Sequence, residues 1–303
     1  MSESNFAGCM VGSAIGDALG ESFAQSWLLA LEINKIPFLG RWTDDTHMMI
    51  GLAESLIERK GLEGEHMARN FVRNWEEEPW RGYGPGPPRV FRMIKSGVPW
   101  HEAAKRLYNG IGSFGNGAAM RVAPIGLLYS DELAKLKEAA CRSAELTHTH
   151  ELGKEGAALQ AYAVALAMET GKSRFEPRRF LRKIEEFADN EVYRKKMETA
   201  RVLLDVEDTR EVLKGLGNTV EAFNSVPTAI YCFARNHEDY ADAVIYAVSL
   251  GGDSDTIGAM TGAIAGAHHG EESLPRIWEE KLEKADYIRR LASNLYSLRV
   301  ILH

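Results

Sequence analysis

Glycine recurs at every fourth position in two places along this chain, at Gly8, Gly12, Gly16 and Gly20 and again at Gly258, Gly262, Gly266 and Gly270. Apolar residues fill the gaps, Met10, Val11, Ala14 and Ile15 in the first series and Ala259, Met260, Ala263 and Ile264 in the second. Each series therefore predicts a helix with one stripe bare of side chains. A glycine inside a helix costs about 1 kcal/mol relative to alanine. Four in register predict a compensating gain, the close approach of another backbone.

The remaining periodicity is helical as well. Met48, Met49, Leu52, Ala53, Leu56 and Ile57 form one apolar stripe, and Gly61 is expected to end that helix. The same spacing predicts helices over 133–143, 156–168, 180–188, 190–204 and 239–250, while period-two alternation is scarce. The class is all-α. Residues 78–88, with their prolines and glycines, predict a loop. Segment 173–217 is rich in Arg, Lys and Glu with interspersed apolar residues and reads as helices with a solvated face, so one domain over residues 1–303 is expected.

With 303 residues, 45% of them hydrophobic, the chain can bury a substantial core. A net charge of -7 and the absence of a dense basic run argue against a nucleic-acid surface. A small anionic ligand would need local help from metal or backbone. Cys9, Cys141 and Cys232 are odd in number and far apart, which points away from disulfides and structural zinc and toward a cytoplasmic location. No basic start followed by an apolar stretch marks a secretion signal, and the apolar runs are too short to cross a membrane.

Four segments carry chemistry. Thr43-Asp44-Asp45-Thr46 precedes the 48–57 stripe. Capping of the helix explains one acid comfortably, but the second leans toward the buried side above Met48 and Met49. Gly252-Asp253-Ser254-Asp255-Thr256 again alternates acids with hydroxyls ahead of a small-residue helix. Hard cations such as Mg2+ favour such oxygens, and a pair of ions needs acids from more than one segment. The segment Gly112-Ser113-Phe114-Gly115-Asn116-Gly117 leads into an expected helix. It suits a backbone-amide cradle for phosphate, with Phe114 able to cover an aromatic or ribosyl group, or else is a plain interhelical loop. Thr147-His148-Thr149-His150 lacks a third transition-metal ligand nearby, which favours hydrogen bonding to a substrate or a helix end. His268-His269 reads as a helix-end feature.

Taken in order, Gly16-Asp17-Ala18-Leu19-Gly20, Thr43-Asp44-Asp45-Thr46, Gly115-Asn116-Gly117-Ala118-Ala119-Met120-Arg121, Thr147-His148 and Gly252-Asp253-Ser254-Asp255-Thr256 resemble the motifs of the ADP-ribosylglycohydrolase family, across nearly the whole chain. The resemblance implies an orthogonal helical fold with a central cleft holding two Mg2+ ions, Mn2+ being the alternative. The implied activity is removal of ADP-ribose from a modified residue or an ADP-ribosylated small molecule. It further implies metal ligands at Thr43, Asp44, Asp45, Asp253, Asp255 and Thr256. Gly112, Phe114, Asn116 and His148 match positions that contact ADP-ribose, with Ser113 and Gly115 in the same loop. A nucleic acid would enter only as an ADP-ribosylated substrate.

One departure stands out. The family pattern has a glutamate seven positions beyond Asp17, and this chain has Ala24 there. Three readings stay open: Glu21 joins Asp44 and Asp45 in catalysis, the chain binds ADP-ribose without cleaving it, or the alanine is an engineered replacement. Rival readings are a structural, crystallin-like protein on the same scaffold and a metal-dependent phosphoesterase.

Overall fold

The structure is a computed structural model that describes residues 1–23, 35–171 and 175–302. Among them the α-helices are α1 (Glu3–Phe23), α2 (Asp44–Arg59), α3 (Gly64–Glu77), α4 (Gly86–Lys95), α5 (Trp100–Ala103), α6 (Ala123–Leu128), α7 (Leu133–Ala144), α8 (Glu151–Glu169), α9 (Pro177–Phe187), α10 (Glu191–Leu203), α11 (Thr209–Leu216), α12 (Ala222–Arg235), α13 (Tyr240–Ser249), α14 (Ser254–His269), α15 (Arg276–Glu279) and α16 (Ala285–Leu302). No β-strand occurs among the described residues, only an isolated antiparallel bridge between Gly115 and Glu221. The chain is all-α, as the periodicity predicts. No described helix is long and apolar enough to cross a membrane.

The two glycine stripes face each other. A Cβ on Gly8 would stand 2.4 Å from the Gly266 oxygen, one on Gly12 2.8 Å from that of Gly262, one on Gly16 2.0 Å from that of Gly258, and one on Gly20 2.3 Å from that of Ser254. Helices α1 and α14 thus run antiparallel, backbone against backbone, at a separation that only glycine permits. Gly270 is the exception. It lies beyond the last turn of α14 with φ +82, where a left-handed residue ends the helix, and its nearest neighbour is Ser4.

Around this pair α8, α12 and α13 pack on the α14 side and α16 on the α1 side, so the central helices are enclosed. The buried apolar residues form one connected core from Phe6 to Leu298. The register of α1 and α14 brings the C-terminal end of one to the N-terminal end of the other, and so Asp17 and Gly20 to the neighbourhood of Ser254 and Asp255.

Other expectations shift at the helix ends. Helix α2 stops through Lys60, in left-handed conformation with φ 55, and the Gly61 amide then closes on the Leu56 carbonyl. Proline is harmless in a first turn, where its missing amide has no partner to lose, so Pro87 and Pro88 open α4 and the loop ends at Pro85. Helix α8 begins at Glu151, five residues before Gly156, because His150 caps it by accepting from the Leu152 amide.

Candidate functional site

Asp17 is the deepest charge at the site. It is wholly buried in α1 and accepts four hydrogen bonds, from the amide and hydroxyl of Thr43 and the amide and hydroxyl of Thr46. These bonds pin the turn that starts α2, and Thr43 caps that helix. Asp44 and Asp45 are held in its first turn, both buried, where the helix dipole favours negative charge. Asp255 occupies the first turn of α14.

Asp44, Asp45, Asp253, Asp255 and Thr256 line one cleft of 360 Å³, together with Ser113, Gly115, Asn116 and His148. Segments separated by more than two hundred residues therefore meet. Asn116 ties the acids to the glycine-rich loop by donating to Asp253. A larger cleft of 550 Å³ lies elsewhere, beside Glu169 and Arg179, and has none of these acids. Chemistry, not volume, selects the site.

So many buried carboxylates raise one another. Burial first, then the charge of Asp255, pushes Asp17 up to about 7. Burial and the field of Asp255 push Asp253 to about 6. Burial raises Asp44 and Asp45 well above the usual carboxylate range, and the charges of Asp17 and Asp255 add to it. Asp255 is raised as well, by burial. In addition, Oδ1 of Asp45 is buried with no hydrogen-bond partner.

Oxygen donors, like charges packed together and an orphaned carboxylate oxygen are what a bound hard cation would relieve. Among the described residues no three Asp, Glu, His or Cys side chains form a closed metal cage by themselves. Mg2+ does not need one, since it keeps several waters and takes one or two carboxylates. The residues present fit the ion. The Thr43 hydroxyl is directed to Asp17 and Asp45, whereas Thr256 lines the cleft itself.

A pH dependence follows from these carboxyls. A carboxyl raised in the folded state contributes stability that is full below its unfolded value, near 3.8, and is lost as pH rises through about 6 to 7. The metal-free chain is expected to melt higher at pH 5 than at pH 8 through this contribution. Mg2+ should then raise the melting temperature more at pH 8, where it no longer competes with protons. Scanning calorimetry at both pH values checks this, and equal gains would contradict it.

Arg121 is fully buried. It donates to the Gly117 and Ser143 carbonyls and to the Thr147 hydroxyl. The same Thr147 hydroxyl meets Nδ1 of His148 at 2.7 Å and orients the ring. Burial and the Arg121 charge lower this imidazole to about 3, so it stays neutral and does not work as an acid.

The glycine-rich segment departs from a helix-start cradle. Helix α6 begins only at Ala123, with Pro124 in its first turn, and residues 117–121 form turns folded onto Arg121. Three amides are already used: Gly112 to Leu107, Gly115 to the Ser113 hydroxyl and Asn116 to Val220. Ser113, Asn116 and His148 line the cleft. Phe114 is 40% exposed against His150 and Phe223, and Gly112 packs on Thr149. Glu21 is exposed, and because α1 runs to Phe23, Gly20 does not end the helix and Asp17 and Glu21 share one face. Ala24 lies outside the described residues.

The loop 79–85 closes the other side of the cleft through Gly82, Gly84 and Pro85. Arg81 anchors it with two bonds to Glu283, one to Glu78 and one to the Trp42 carbonyl, and its guanidinium lies 3.7 Å over the Trp42 ring. Arg81→Ala removes the bonds to partly exposed Glu283, to Glu78 and to the Trp42 carbonyl together, and a loss of about 2 kcal/mol is expected in urea unfolding. A loss below about 1 kcal/mol would mean that the loop is not held this way.

Sequence reasoning did not assign Asp17 its role beneath the Thr43–Thr46 turn. A lone acid on a glycine-striped apolar helix was the available signal. Tyr108 and Val220 also line the cleft and had no signal, whereas Pro85 belongs to the proline- and glycine-rich loop.

An all-helical chain that brings acids from two distant segments to one ligand-sized cleft has the make-up of a hydrolytic enzyme. The profile of ADP-ribosylglycohydrolase matches residues 2–301, and the chain belongs to the ADP-ribosylglycohydrolase family of glycoside-cleaving enzymes. It is 39% identical over 289 residues to ADP-ribosylhydrolase ARH3 of Gallus gallus, covering 85% of this chain and 78% of that protein. To ADP-ribosylhydrolase ARH3 of Homo sapiens it is 37% identical over 287 residues, covering 84% and 78%. A solved structure titled "ADP-ribosylglycohydrolase-related protein complex" superposes with a TM-score of 0.77 at 28% identity and 98% coverage of both chains.

Proposed function

We propose that the chain is a Mg2+-dependent hydrolase that detaches ADP-ribose from a modified protein residue or an ADP-ribosylated small molecule. The observation behind this reading is the meeting of Asp44 and Asp45 with Asp253 and Asp255 in one cleft, with an oxygen of Asp45 left without a partner. Names of the relatives add the substrate class, since the chicken and human proteins are called ADP-ribosylhydrolases.

Thr43, Asp44, Asp45, Asp253, Asp255 and Thr256 would hold Mg2+, which supplies Lewis-acid polarisation of the ribose hydroxyls beside the scissile bond. The chain's own groups do the rest. His148, neutral, offers a ring nitrogen to the ligand; Asn116 orients both the ligand and Asp253; Ser113 offers a hydroxyl to the diphosphate. Phe114 covers an exposed ring or ribose, and Phe114→Ala is expected to weaken ADP-ribose binding by about tenfold, the usual weight of one stacked aromatic. Calorimetry reads it, and an unchanged affinity would remove Phe114 from the site. The three thiols are unpaired, which supports a cytoplasmic location.

Ala24 favours a second reading, a binder that cleaves slowly or not at all. Alanine can neither move a proton nor steady a water, and general acid–base groups contribute about 10² to 10⁴ in rate. Ala24→Glu is expected to raise hydrolysis of an ADP-ribosylated peptide at least about tenfold while leaving ADP-ribose affinity near the parent value. No gain would hand the proton-transfer role to Glu21 or another group.

A further inference from the structure

Asn116 lies between the acids and the glycine-rich loop, and its partners reveal which end of its carboxamide is left for a ligand. Its Nδ2 meets two acceptors, Oδ2 of Asp253 and, at 3.0 Å, the hydroxyl oxygen of Ser225. A carboxylate only accepts, so the atom facing Asp253 is nitrogen and the carboxamide has one orientation. Both of its hydrogens are then used inside the protein. Oδ1 accepts nothing among the described residues, and it is not sealed from solvent as Oδ1 of Asp45 is. Since Asn116 lines the cleft, what its side chain offers there is a single acceptor. Ser225 holds this arrangement from below. It is fully buried in the first turn of α12, and its own proton goes to the Glu221 carbonyl at 3.2 Å while its oxygen accepts from Asn116. The Asn116 backbone amide is tied to the same stretch, through the Val220 carbonyl.

We propose that Ser225 is a positioning residue, which holds Asn116 so that its Oδ1 accepts from a ribose hydroxyl beside the acid cluster and turns a phosphate away. This inference rests on the function proposed above. ADP-ribose brings two kinds of polar group to this depth of the cleft. A ribose hydroxyl donates as readily as it accepts, and suits Oδ1. Diphosphate oxygens are charged and only accept, so one placed against Oδ1 would meet repulsion and make no bond. The bond to Asp253 puts Asn116 at the acid end of the cleft, where the scissile ribose belongs. Without Ser225 a single bond, to Asp253, would restrain the carboxamide, and Oδ1 could swing off the ribose.

The test titrates ADP-ribose and ADP, which share the diphosphate and differ in the terminal ribose, into the parent chain and into Ser225→Ala with Mg2+ present. Backbone amide shifts follow both titrations, so that weak binding of ADP is read as well. Ser225→Ala is expected to weaken ADP-ribose about fivefold, the weight of one hydrogen bond, and to leave ADP, however weakly it binds, unchanged. A merely structural role would weaken both alike. A second measurement needs no ligand: the Nδ2 protons of Asn116 should exchange with water at least about tenfold faster in Ser225→Ala than in the parent. An equal loss on both ligands overturns the proposal, and so does an unchanged affinity for ADP-ribose. Equal exchange rates would show that Ser225 does not hold Asn116, whatever the ligand. If ADP-ribose fails to bind the parent, the function reading fails and the ribose assignment with it, while the exchange rates still decide whether Ser225 positions Asn116.

Discussion

Gly16→Leu is expected to yield no stably folded protein. The Cβ alone would stand 2.0 Å from the Gly258 oxygen and 2.5 Å from its carbon, and both belong to the backbone of a buried helix. Overpacking a side chain against other side chains costs about 1–3 kcal/mol. Here no rotamer can move away, so α1 and α14 must separate by more than an ångström along their length. Total stability of an ordinary domain is about 5–15 kcal/mol, and a leucine here is expected to consume most of it. Gly171→Ala is the control, because a Cβ there meets nothing within 4 Å among the described residues, and it should stay within about 0.5 kcal/mol of the parent. Circular dichroism and urea melts decide between the two. A cooperative Gly16→Leu melt near that of the parent would mean that the stripe does not set the helix separation.

The stripe matters for function because the same two helices carry Asp17 and Asp255. The helix separation fixes how far the acid that organises Thr43 and Thr46 lies from the second acid cluster. A milder change, Gly20→Ala, would push against Ser254 and Asp255 directly, so it should harm ligand binding more than stability.

Asp45→Asn and Asp255→Asn are each expected to abolish measurable Mg2+-dependent ADP-ribose binding, a loss of at least about a hundredfold, while the metal-free chain becomes more stable. The two effects have one cause. Buried like charges destabilise the empty cleft, and neutralising one relieves its neighbours. An amide supplies a weaker donor than a carboxylate and no charge. Melting in EDTA should rise for each variant relative to the parent, and calorimetry with Mg2+ should lose its signal. A variant less stable in EDTA that still binds would show these acids to be structural.

Much of the fold was legible because it rests on local periodicity. The glycine stripes at residues 8–20 and 258–266 specify helices with a bare face, and the 48–57 stripe specifies α2. That the two stripes would meet each other in antiparallel register is a long-range fact that no local spacing encodes. The acid pairs were legible for a similar reason: adjacent carboxylates repel, so Asp44-Asp45 and Asp253-x-Asp255 stand out as needing a partner. Asp17 was less so, since its four donors come from residues 26 to 29 positions away. The stretch after Asn116 misled because its turns are set by the buried Arg121 and by pairing with Val220 across the fold.

The central claim is that the two acid clusters form one cation-dependent binding site. Its most direct test is calorimetric titration of ADP-ribose into the chain dialysed against EDTA, then into the same sample after addition of Mg2+. The account predicts weak or undetectable binding in the first titration and saturable binding at one site in the second. Equal affinity in both would contradict it.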